Sequence, residues 1–146
     1  MRLIAATFFS FAVLLAQAVP VTLIANEAMA ATPAEVADQV RTNWAKAKTA
    51  YLASVKPYTV VAANVTLINQ YTAATDKAGA TLEKYLSLKL AGSAPEEVTP
   101  VVDQLSKDLL AMKAIRAKAT SGLGTALGTA LTQQNLVTQT ALANMR

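Results

Sequence analysis

Residues 32–57 read TPAEVADQVRTNWAKAKTAYLASVKP, and this stretch decides the fold class. Thr32 can cap a helix, and Pro33 suits the first helical position, where a backbone N–H is not needed. Glu35 can return a hydrogen bond to the Thr32 backbone and close a capping box. Val36, Val40, Trp44, Ala47, Tyr51 and Val55 follow at steps of three and four, which places them on one helical face. Arg41, Lys46 and Lys48 lie mostly off that face. Lys56-Pro57 ends the run, because the residue before a proline is pushed out of helical geometry. The spacing predicts an amphipathic helix over 33–55.

Downstream, the same pattern recurs three times. Val61, Val65, Ile68, Thr72, Thr75, Leu82 and Leu86 mark one face of a helix over 58–91, continuous or bent at Gly79. Lys89 and Gly92 supply a basic last turn and a C-terminal glycine. Ser93-Ala94-Pro95-Glu96 reads as a second capping box, and Pro100 predicts a kink or a restart soon after it. Val98, Val101, Leu105, Leu109, Met112 and Ile115 form the apolar stripe of a helix over 94–120. Its acids, Glu96, Glu97 and Asp103, come early; Lys113, Arg116 and Lys118 come late, which complements the helix dipole. Ser121-Gly122 reads as a turn. A last helix over 122–145 has no charged residue through Met145 and contains the tandem tetrad Gly124-Thr125-Ala126-Leu127, Gly128-Thr129-Ala130-Leu131. The connections are short, so sequential helices run antiparallel. The expectation is an all-α, antiparallel four-helix bundle forming a single domain over 31–146.

Upstream of the bundle the sequence changes character. Arg2 and the amino terminus are positive, and Leu3 to Ile24 carries no charge. Ala28-Met29-Ala30 has the small-residue pattern of a signal-peptide cleavage site, with Ala16-Gln17-Ala18 as a second choice. Residues 1–30 therefore read as a secretory signal peptide, and the protein as exported, periplasmic or extracellular. The stretch is also long enough to span a bilayer, so it becomes a membrane anchor if it is not cleaved.

Composition narrows the chemistry. The 146 residues include no Cys and no His. That removes disulfides, thiolate nucleophiles, the most common metal ligand and the most common general base. The carboxylates lack an EF-hand pattern, so no metal and no cofactor are expected. The net charge of +4 is mild and spread along the chain, which argues against a nucleic-acid partner. Thr81 and Lys84 have T-x-x-K spacing but lack the companion motifs of such enzymes. Glu96, Glu97, Asp103 and Asp108 read as surface acids, and Asp103 and Lys107 as an i,i+4 pair. Asn64-Val65-Thr66 is a sequon inside a predicted helix. No catalytic residue is assigned, and the chain reads as non-enzymatic.

Two binding features remain. Leu123, Leu127 and Leu131 stack in one row, with Gly124 and Gly128 in the next. This small-residue seam would pack a helix closely within the chain, or meet a protein partner or a second copy. Tyr71 and Tyr85 lie two heptads apart and share a face. With Met112 they could line a site for an apolar ligand, or simply form core. Lys46, Lys48, Lys56, Lys113, Arg116 and Lys118 would meet an anionic surface if the fold gathers them, and otherwise form a solvated face.

In its alanine-rich amphipathic helices and its Ser93-to-Lys107 stretch the chain resembles cysteine-free helical proteins that coat apolar surfaces or carry lipids, among them phasins and fungal hydrophobic-surface-binding proteins. The resemblance implies contact with apolar material. Phasins normally lack an export signal, and this chain departs from them there. The functional expectation is an exported protein working through protein–protein or surface interaction; the alternative is a carrier or coat for apolar ligands such as fatty acids.

Overall fold

The structure, a computed structural model, describes residues 31–145. The leader expected over residues 1–30, with both of its cleavage sites, lies outside the described residues. Those residues form an all-α four-helix bundle: α1 (Pro33–Val55), α2 (Ala62–Leu90), α3 (Pro95–Arg116) and α4 (Ser121–Asn144), with no strand among them. None of these helices is long and apolar enough to cross a membrane.

α1 begins with the capping box read from its sequence. The Thr32 N–H donates to Glu35 Oε2 at 2.7 Å, and the Glu35 N–H donates to Thr32 Oγ1 at 3.3 Å. Pro57 ends α1 in a short 3-10 turn, Lys56–Tyr58. The next helix therefore starts at Ala62, four residues later than expected. Val61 is its N-cap in extended geometry with no side-chain cap, and Asn64 Nδ2 donates to the Tyr58 carbonyl at 3.2 Å. The sequon asparagine thus ties the connection to the first turn of α2.

α2 passes through Gly79 without a break. The glycine is there for proximity: a β-carbon at Gly79 would lie 2.6 Å from the Trp44 indole nitrogen. α2 ends in a Schellman motif. The Gly92 N–H reaches the Lys89 carbonyl, the Ser93 N–H reaches that of Leu88, and Gly92 has φ +68°, a conformation that suits a residue without a β-carbon.

The start of α3 differs from the expected capping box. Pro95 takes the first helical position, so the N-cap is Ala94 rather than Ser93, and no side chain caps the helix. The restart expected at Pro100 does not occur: α3 is one helix with Pro100 inside it. Pro100 is the sixth residue of α3 and removes one intrahelical bond, the one its N–H would make to the Glu96 carbonyl; Thr99 Oγ1 donates to the Pro95 carbonyl at 2.8 Å beside it. α3 ends at Arg116 rather than near 120, and the turn into α4 is 117–120, not Ser121-Gly122.

α2 packs most extensively on α3, and α1 on α4. Their buried stripes form one core that includes Val40, Tyr51, Tyr71, Leu82, Leu86, Leu105, Met112, Leu123 and Leu127, and it is closed at the C-terminus by Met145. The α1–α2 and α3–α4 seams are looser, and a surface groove opens along each.

Candidate functional site

The residues expected to line an apolar-ligand site are core residues. Tyr71, Tyr85 and Met112 are all buried. The Tyr71 hydroxyl donates to Gln134 Oε1 at 2.8 Å and lies 3.4 Å from the Leu127 carbonyl. Gln134 Nε2 in turn donates to Thr75 Oγ1 at 3.3 Å. Tyr51 lies against Tyr71, ring centroids 5.0 Å apart, and its hydroxyl donates to the Ile68 carbonyl at 3.0 Å. Burial raises the pKa of Tyr71, and Tyr51 beside it adds to the shift. Among the described residues no buried side-chain nitrogen or oxygen lacks a partner. The interior polar groups are therefore committed to one another across α2 and α4, and none is left to orient a ligand.

The seam on α4 divides between inside and outside. Leu123, Leu127 and Leu131 are buried in the bundle, so they form no exposed patch. Gly124 and Gly128 are part-exposed and face the end of α3. A β-carbon at Gly128 would lie 3.2 Å from Arg116 Nε, and one at Gly124 would lie 3.1 Å from the Ala119 carbonyl oxygen. The two glycines thus make room for an arginine side chain and a turn, both from the same chain.

Sequence reasoning placed Asp108 on the surface, whereas its side chain is 2% exposed. Thr81 Oγ1 donates to it at 2.6 Å, Gln104 Nε2 at 2.8 Å, and Lys77 Nζ lies 3.1 Å away. Burial works against its ionisation, but the hydrogen bonds from Thr81, Gln104 and Lys77 outweigh it and hold the pKa below the ordinary value. The Thr81 hydroxyl is thereby used to fasten α2 to α3. The lysine beside it is Lys77, not the Lys84 of the T-x-x-K spacing. Among the described residues no group of three acidic side chains could hold a metal ion.

A concave feature lies on the α1–α2 seam. It is an open groove of about 320 Å³ lined by Trp44, Leu82 and Leu86 over Gly79, with Arg41, Lys48, Asp76 and Glu83 at its rim. The rim charges are paired: Arg41 grips Glu83 through two bonds of 2.8 and 2.7 Å, and Lys48 pairs with Asp76. The Arg41 contact also holds the Glu83 pKa down. Sequence reasoning put Trp44 in the core stripe; it is only part-buried, lying in this groove with its indole against Gly79 of α2. A second groove, about 380 Å³, runs between α3 and α4 past Leu109, Leu110 and Leu131.

Several large apolar side chains stand in solvent. Val60 is 86% exposed, Leu110 and Leu136 62% each, and Val61 50%. No protein family, no curated protein and no solved structure matches this chain.

Proposed function

We propose that this is an exported, non-enzymatic bundle that works through contacts made by its outer surface. The main support is the division of its apolar groups. The interior is filled and internally hydrogen-bonded around Tyr71, Gln134 and Thr75, while Val60, Val61, Leu110 and Leu136 face water. Exposed aliphatic side chains of this size are common singly, but groups of them mark contact surfaces. Export rests on the leader-like pattern of residues 1–30 and the small residues at Ala28 and Ala30. The non-enzymatic reading rests on the missing nucleophile–base pair.

The carrier alternative keeps one observation in its favour, the Trp44 groove. Its floor is apolar and its volume falls within the range of small-molecule sites. An apolar ligand would sit there, over Gly79, rather than between Tyr71, Tyr85 and Met112.

Native mass spectrometry of the protein purified from its source separates the two. A ligand-free oligomer or a complex with another macromolecule is expected. A stoichiometrically retained lipid would replace surface contact with the carrier function.

A further inference from the structure

We propose that the end of the bundle formed by the α1–α2 and α3–α4 connections docks on an anionic lipid surface. This names the partner class for the surface-contact reading above and rests on it. The two connections lie together, since a β-carbon at Gly122 in α4 would come 2.7 Å from the Tyr58 hydroxyl. Of the six basic residues singled out in the sequence, Lys56 and Lys118 lie on these connections, and Lys113 and Arg116 lie in the last turn of α3. Lys48 is paired with Asp76 instead, and Lys46 lies mid-helix on α1. Arg116 and Lys113 form no ion pair among the described residues; Arg116 Nε instead points at the Gly124 carbonyl, 3.4 Å away.

The segments that carry these cations contain no acid. Thr49–Thr75 and Leu109–Met145 contain no Asp or Glu. Both stretches run from one helix, through a connection at this end, into the next. The opposite end is mixed, with Glu35, Asp38, Glu96 and Glu97 near Lys89. Charge is therefore segregated along the bundle axis although the whole chain is only mildly basic.

The same end carries the most exposed aliphatic group. Val60 and Val61 follow the 3-10 turn, and Leu52 is exposed one turn before it. Val60 stands 86% exposed in the α1–α2 connection and lines neither of the grooves described above. A rigid protein partner would need a matching hollow to bury it. A bilayer interface deforms around a projecting side chain and places its phosphates beside the lysines. Apolar insertion and a basic rim are the two signals that peripheral binding combines.

The test uses the protein isolated from its source, in its native processed form, alongside variants made the same way. Vesicles of phosphatidylglycerol mixed with phosphatidylcholine are compared with phosphatidylcholine alone in a flotation assay. Binding to the anionic vesicles only, falling as salt is raised, is expected. Each neutralised lysine weakens binding about five-fold, so K56Q/K118Q weakens it about 25-fold. V60S/V61S weakens it about ten-fold or more. These four positions are exposed, so the variants fold, which circular dichroism checks; Leu90→Ser, exposed at the opposite end of the bundle, binds as wild type does. Equal binding to both vesicle types, or variants that bind like wild type, overturns the proposal. Binding to soluble polyglutamate as strongly as to anionic vesicles, and indifferent to V60S/V61S, overturns it in favour of an acidic protein. If vesicle binding is absent while native mass spectrometry shows a macromolecular complex, the lipid assignment falls and surface contact stands.

Discussion

Replacing Gln134 with leucine keeps roughly the same volume in the core and adds apolar surface, yet the structure requires it to destabilise the protein. The Tyr71 hydroxyl would lose its 2.8 Å acceptor and keep only the Leu127 carbonyl at 3.4 Å. Thr75 would lose its partner on α4 but, as a helical threonine, could turn to a carbonyl one turn back. A buried polar group left without a partner costs about 1–3 kcal/mol, so Gln134→Leu lowers stability by about that amount. Tyr71→Phe strands Gln134 Oε1 and has a similar effect. The double variant removes both partners, and two apolar groups of matching shape are close to neutral. The double variant should therefore be more stable than the sum of the two single losses predicts, by roughly 1–2 kcal/mol. Urea unfolding followed by circular dichroism measures all four proteins, and a domain of this size loses roughly 4 °C in Tm per kcal/mol. Losses that add to within about 0.5 kcal/mol would mean the two side chains are uncoupled, and the closed polar interior would not exist as described.

Further substitutions probe the same packing. Asp108→Asn should lower stability by about 2 kcal/mol at neutral pH, since its hydrogen bonds are made to a buried charge. The folded-state pKa lies below the ordinary 3.8, so this contribution is present above that value and lost as the pH falls through the folded pKa; the gap between wild type and variant in urea melts should close below about pH 4. Gly79→Ala, which improves helix propensity by ~1 kcal/mol, should fail to stabilise wild type because its methyl meets the Trp44 indole; in a Trp44→Ala background it should stabilise by ~1 kcal/mol in thermal melts, and equal effects in both backgrounds would deny the contact. Leu127→Ala should destabilise by about 2–5 kcal/mol in urea unfolding, whereas Leu136→Ala, on an exposed face, should stay within about 0.5 kcal/mol.

The boundaries legible in the sequence were those with a local cause. The Thr32–Glu35 box, the stop at Pro57 and the Gly92 terminus need only neighbouring residues, and the structure contains all three. The missed boundaries depended on competing local geometry. Pro95 claimed the first helical position and displaced Ser93 as cap, and the 3-10 turn at Pro57 consumed the residues assigned to the start of α2. Thr75 was legible on the inward face of α2, but two other interior polar residues were missed for a different reason. Asp108 continues the buried spacing Val101, Leu105, Met112, and Gln134 continues Leu127, Ala130, Val137. Their phase on the helix signalled burial, but a polar side chain at a core phase is stable only with a partner on another helix, and single-helix periodicity contains no such information. For the same reason the leucine row was legible as a packing surface while its partner was not. That row faces its own core, and of the glycines beside it Gly128 accommodates Arg116 and Gly124 the turn at Ala119.

The sole tryptophan, Trp44, lies in the groove proposed above for an apolar ligand, and so reports directly on whether that groove holds one. Titrating oleate, kept below its micelle concentration, into the purified protein while recording Trp44 emission makes the test. A surface-acting bundle gives no saturable change in that emission at equimolar oleate; a saturating one-to-one shift, abolished by filling the groove with Gly79→Leu in a variant that still folds, would contradict the account and make the protein a carrier.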